Sequence, residues 1–218
     1  MAQDTDTEGF QAAPLDEAGT TLHLSASAAR NVTEDRLRAL LRVEVRGDEP
    51  SAVQAEINDR MTQALERANA VSNLIVGTQS YRLYQNREDQ RWYGSQSLSI
   101  DGTDPAAILS LAGELQAEGL AIGTLEYYLS PESADEMRDN LIAEAIAKLN
   151  ERLGRVIDAT KAGSGSWIEM SIDPRSIRPG PVARSAAFEA SDAATPPVAA
   201  PGTTRIELQV SGTAKLVP

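Results

Sequence analysis

Few residues in this chain have the types and spacing that chemistry requires. The single histidine, His23, alternates onto the polar face of a segment whose other face carries Leu22, Leu24, Ala26 and Ala28. A lone imidazole with no second histidine and no clustered acids makes a poor transition-metal site. Serines are plentiful, but no GxSxG elbow accompanies them, so a nucleophilic triad can be composed only on paper. Gly163, Ser164, Gly165 and Ser166 have the composition of a phosphate loop, yet the lysine and the following helix of a P-loop are missing, and a flexible turn is expected there. Glu132, Asp135, Glu136 and Asp139 could attract calcium, although acids in a first helical turn are explained more simply by the helix dipole. With no cysteine in the sequence, disulfides, thiolate metal sites and cysteine catalysis are all excluded. No catalytic residue, cofactor-binding residue or metal ligand is therefore assigned, no cofactor is expected, and the chain is expected not to be an enzyme.

Two constellations keep functional interest. Tyr81, Tyr84, Trp92 and Tyr93 gather four of the nine aromatic residues into one hairpin, beside Arg82, Arg87 and Arg91. Aromatics with arginine are enriched at interfaces, because they combine rigid area with a planar fork of donors. Cross-strand pairing that only stabilises the hairpin explains the same cluster. The second constellation is an arginine row, Arg36, Arg38, Arg42 and Arg46, on one face of a strand. In an acidic protein such a face could pair with acids of a neighbouring subunit or simply lie in solvent.

The elements that must position these residues follow from periodicity. Thr21 to Ala28 and Leu37 to Val45 alternate as half-buried strands, and with a turn over Asn31 to Asp35 they read as an antiparallel hairpin. A helix over Pro50 to Ala70 buries Val53, Ile57, Met61, Ala64, Leu65 and Ala68. Leu74 to Tyr84 and Arg91 to Ile100 form a second hairpin around a polar turn at Gln85 to Gln90. Asp104 and Pro105 cap a helix that ends near Gly119, and a strand over Ile122 to Leu129 follows. Ser130 and Pro131 open a third helix with the stripe Met137, Leu141, Ala145, Leu149 and Leu153; Gly154 is expected to stop it, and Val156 to Lys161 to be extended. Another strand is expected near Trp167 to Ile172, and strict alternation over Arg205 to Val210 gives a last one. Fold class is α+β, with helices packed on one face of antiparallel sheets in two similar layers or subdomains. Residues 1 to 19 should be a mobile acidic arm, and residues 174 to 203 a Pro/Ala-rich excursion before the last strand.

A formal charge of −12 argues against a nucleic-acid partner, whose phosphates bind through lysine and arginine. No run approaches the roughly 20 apolar residues of a membrane-spanning helix. The opening Met1, Ala2, Gln3, Asp4 is compatible equally with a mature exported N-terminus to which a methionine was added and with an ordinary cytoplasmic start.

The succession of strands and helices, the aromatic hairpin YRLYQNREDQRWYGSQSLSI, the segment LSPESADEMRDNLIAEAIAKLNERLGRVIDATKAGSG and the terminal PPVAAPGTTRIELQVSGTAKL resemble the SIMPL-domain family over about residues 20 to 217. The sequence departs from the family where a glycine-rich SGEG-like step and a Pro-Asp are usual. It has Ser25 to Ala28 and Thr33, Glu34, Asp35 there, and its segment between the first helix and the aromatic hairpin is short. The resemblance implies a bacterial exported envelope protein, periplasmic or secreted, some of whose relatives are described as outer-membrane immunogenic or oxidative-stress-defence proteins. It supplies no catalytic residue. The expected partners are further copies of the chain, as a homo-oligomer, and other envelope proteins, with a small-ligand or peptide site on the hairpin from 81 to 100 as the alternative.

Overall fold

The computed structural model describes residues 19–173 and 198–218. The arm expected before residue 19 and most of the proline- and alanine-rich excursion lie outside the described residues. Alternation and helical periodicity resolve into ten elements: β1 (Thr20–Thr33), β2 (Arg36–Gly47), α1 (Pro50–Ala70), β3 (Leu74–Gln85), β4 (Trp92–Gly102), α2 (Pro105–Ala117), β5 (Ala121–Tyr128), α3 (Pro131–Thr160), β6 (Ser164–Asp173) and β7 (Thr203–Val217). The class is α+β with two antiparallel sheets. The described residues divide into two compact units, a larger one (31–135 and 198–205) and a smaller one (19–30, 136–173 and 206–218).

In the larger unit the strand order is β3-β4-β2-β5, every pair antiparallel. One face is apolar because β2 alternates strictly: Leu37, Ala39, Leu41, Val43 and Val45 are buried, and their β4 partners include Ile100 and Leu98. The helices α1 and α2 close over that face through Val53, Ile57, Met61 and Ala64 from the first and Ile108, Leu111 and Leu115 from the second. Contact between α1 and β4 is close enough that a Cβ on Gly94 would collide with Ile57 and Val53, so this strand position needs glycine. Asp104 caps α2 by accepting from the backbone N–H of Ala106 (3.0 Å) and Ala107 (3.2 Å).

In the smaller unit the order is β1-β7-β6, with β6 antiparallel to β7. Its apolar face comprises Ile206, Leu208, Val210, Ala214 and Leu216 of β7, all buried, and α3 contributes the buried stripe Leu141, Ala145, Leu149 and Leu153. Polar anchors hold α3 to the strands: Lys148 and Arg152 donate to the carbonyls of Ser27 and Ser25, and Trp167 Nε1 donates to Asn150 Oδ1 at 2.8 Å.

The structure corrects three local expectations. β1 and β2 are not a hairpin, since they belong to different sheets. Both edges of β2 are already taken by β4 and β5, and the connecting residues bond elsewhere: Glu34 N–H donates to the carbonyl of Gly202, and Asp35 N–H to that of Tyr128. Gly154 does not end α3, which continues to Thr160 with Val156 and Ile157 inside it. Those two residues extend the Leu153 stripe by three and four positions, and packing of that stripe overrides one glycine. The helix stops instead at Lys161, whose φ of 52° is left-handed, with Ala162 N–H reaching back to the carbonyl of Ile157 at 3.2 Å. Finally, Gly163 to Ser166 is strand entry rather than a flexible turn. Gly163 N–H bonds the Val217 carbonyl at 2.9 Å, and β6 begins at Ser164.

Candidate functional site

On the face of the four-stranded sheet opposite the helices, strand pairing decides which side chains meet. Register sets Arg38 of β2 opposite Asp101 of β4 and Arg36 opposite Tyr128 of β5. Asp101 thereby becomes the centre of a network. Arg36 donates to its Oδ1 through Nε (2.8 Å) and pairs with it through Nη2 at 2.6 Å, while Arg38 Nε (3.1 Å) and the Tyr128 hydroxyl (2.6 Å) donate to Oδ2. Arg38 also lies over the Tyr128 ring, 4.6 Å from its centre, and donates to its hydroxyl oxygen at 3.2 Å. The carboxylate is only 6% exposed, so it is a buried charge with two cations and a hydroxyl around it. Burial and the bond to Asp101 raise the pKa of Tyr128. Burial acts to lower that of Arg36, but its bond to Asp101 and the attraction between their charges raise it overall.

Beside this network lies an open groove of about 400 Å³, lined by Arg38, Asp101 and Tyr128 together with Ile75, Gly77 and Ser99. Nothing lies within 4 Å of where a Cβ on Gly77 would sit, so glycine there leaves room in the surface. A second open groove, of about 340 Å³, is lined on the smaller unit by His23, Ser25, Glu169, Ser171, Ser211 and Thr213. His23 Nδ1 is bonded to Thr213 Oγ1 at 3.0 Å. Among the described residues no three His, Asp or Glu side chains converge to hold a metal ion.

Three of the four arginines of the row are thus divided among acids of their own chain, with Arg36 and Arg38 on Asp101 and Arg42 on Glu44 at 2.6 Å. The aromatic hairpin is divided between faces, because consecutive strand residues point to opposite sides. Tyr84 and Tyr93 are register partners and stack, with ring centres 5.9 Å apart, on the same face as Arg46 and Arg82. Trp92 packs instead against the apolar core, and Tyr81 lies on that inner face at the open edge of β3, 41% exposed. Tyr93 donates to Asp89 at 2.5 Å; the bond raises the pKa of Tyr93 and lowers that of Asp89. Arg91 is held by Asp48 at 3.0 Å, which raises its pKa, and Arg87 sits in the connecting turn, where its carbonyl accepts from Gln90. Trp92 and Tyr93 therefore do not form one stacking platform.

The first turn of α3 is also accounted for. Ser130 Oγ accepts from Ser133 N–H at 3.2 Å and donates to Asp35 Oδ2 at 2.7 Å, and Ser133 Oγ donates to the same carboxylate. Partial desolvation acts to raise the pKa of Asp35, but the bonds from Ser133 and Ser130 outweigh it and lower the value. Glu34 performs a parallel task, accepting from Gly202 N–H (3.2 Å) and Thr204 Oγ1 (3.1 Å).

Reasoning from sequence missed Asp101 and Tyr128, because strand register alone brings them to the arginines. It also missed an exposed apolar row on β6, Ile168 (62%), Met170 (41%) and Ile172 (41%). The alternation Ile-x-Met-x-Ile was the signal available for it.

The described residues thus make a two-unit α+β chain of antiparallel sheets. More specifically, the chain belongs to the SIMPL family, described as a protein of unknown function (DUF541), whose model matches residues 22–214. No curated protein matches the chain.

Proposed function

We propose that this chain is a non-enzymatic, exported protein of the bacterial envelope that works through protein contacts, above all with further copies of itself. One observation carries the reading. Of the eight large hydrophobic side chains that are exposed among the described residues, six lie on two edge strands: Ile75, Tyr81 and Tyr84 on β3, and Ile168, Met170 and Ile172 on β6. An edge strand offers unpaired backbone donors and acceptors, and natural sheets usually guard such edges with charge, proline or short length. Apolar side chains there mark a contact surface. Export is supported by family membership, and the cysteine-free sequence is compatible with it; among the described residues no helix is long and apolar enough to cross a membrane. Light scattering across a wide concentration range tests the reading. Concentration-dependent mass above that of one chain is expected, and a strict monomer throughout overturns it.

A second reading draws on the groove beside Arg38 and Tyr128. There a guanidinium fixed by Asp101 and the open space above Gly77 could seat a planar group of a small ligand or peptide. Protection of the Arg38 and Tyr128 signals by an envelope peptide panel in nuclear magnetic resonance would favour it.

A further inference from the structure

We infer that β6 is a homotypic docking edge. Two copies of the chain pair their β6 strands antiparallel, about a two-fold axis through Met170, and so join two three-stranded sheets into one of six. The inference rests on the self-association proposed above and names its surface.

Among the described residues β6 has one neighbour, β7, so its other edge is open. The pairing with β7 skips Ile168: Trp167 is opposite Ala214 and Glu169 opposite Thr213. Such a bulge places Trp167 and Ile168 on the same side. Met170 and Ile172 share that side, because their partners are Gly212 and Val210 on the buried face of β7. Ile168, Met170 and Ile172 therefore extend the apolar face of the sheet to its rim, where they stay 62%, 41% and 41% exposed.

The partner follows from symmetry. A two-fold interface requires an edge that complements itself, and the sequence around Met170 is close to palindromic in character, Ile-Glu-Met-Ser-Ile. Directly opposed residues in a sheet share a face, so the axis can pass only through matching positions. Centred on Met170, the pairing sets methionine against methionine, each Ile168 against Ile172 of the other copy, and each Glu169 against Ser171. Centred on Glu169, it would set two carboxylates face to face, which is destabilising. Centred on Ser171, it would leave Ile168 beyond the pairing. Of these three registers, the one centred on Met170 alone matches Ile168, Met170 and Ile172 with one another and sets no charge against its like.

The natural absence of cysteine makes the test direct. Directly opposed residues of antiparallel strands have Cα atoms about 4.5 to 5.5 Å apart, within the roughly 4.4 to 6.8 Å that a disulfide spans. In the full chain, Met170→Cys under mild oxidation is expected to give a covalent dimer. Ile168→Cys alone is not, because its copies lie about 13 Å apart, whereas an equal mixture of Ile168→Cys and Ile172→Cys is. Met170→Lys and Ile168→Lys should each weaken association by roughly tenfold or more, with unchanged circular dichroism. A wild-type chain that stays monomeric overturns both the self-association and this edge. A wild-type oligomer whose Met170→Cys form gives no covalent dimer, and whose lysine variants associate normally, overturns the edge alone.

Discussion

The two sheets put the same alternation to different uses. In the four-stranded sheet the solvent-side row of β2 is charged, and three of its four arginines are matched inside the chain: Arg36 and Arg38 close on Asp101, and Arg42 closes on Glu44. In the three-stranded sheet the edge strand β6 carries an apolar row that stays partly exposed among the described residues. A row of charges that looks like a docking surface in the sequence is largely spent on internal bonds, whereas a row of three apolar residues that drew no notice is open. Accessible unpaired surface, rather than residue type, separates a structural device from a contact surface.

The comparison breaks first at Asp101. If its network is structural, Asp101→Ala should cost about 3 to 5 kcal/mol in chemical denaturation, since two guanidinium groups lose a buried partner. A loss below about 1 kcal/mol would return the arginine row to the list of contact surfaces. Next in size is Gly94→Ala, expected to cost about 1 to 3 kcal/mol by forcing α1 away from β4. Smaller still is Tyr128→Phe, about 1 kcal/mol through loss of a hydroxyl bond to the carboxylate. Tyr128 holds its proton more tightly in the folded state, so its contribution is complete below the ordinary tyrosine pKa of about 10 and fades as pH rises through the folded value. The phenylalanine variant should lack that alkaline loss in pH-dependent melting. Asp35 has the opposite sign: its pKa is lowered on folding, so its contribution is present above about pH 4 and lost as pH falls through the folded value. Asp35→Asn should flatten the acid limb of the same profile. The smallest expected effect is on the other side of the comparison, where Ile168→Lys should change unfolding free energy by less than about 0.5 kcal/mol while weakening association.

Elements whose causes lie within a dozen residues were legible. Pro50 and Asp104 mark the starts of α1 and α2, the Val53 and Ile57 stripe marks the buried face of α1, and the polar turn between Tyr84 and Trp92 marks the hairpin. What remained hidden depends on distant partners. Thr33 to Arg36 looks like a hairpin turn until Glu34 is seen bonded to residues 168 and 170 positions away. Gly154 looks like a stop until the continuing stripe through Val156 and Ile157 is weighed against it. Asp101 is 65 residues from Arg36 and 63 from Arg38, and no local pattern joins them. Family membership was legible from whole segments, which keep their spacing even where single residues depart.

The strand at the middle of the three-stranded sheet is β7, the last of the ten elements among the described residues. A chain made from its N-terminus onward will have released β1, α3 and β6 before the strand that must sit between β1 and β6 emerges. Until then neither flanking strand has its neighbour, and Leu208, Val210 and Leu216 are not there for the apolar face. The smaller unit consequently closes only after β7 has been made, and loss of the 15 residues of β7 would abolish the sheet rather than trim it.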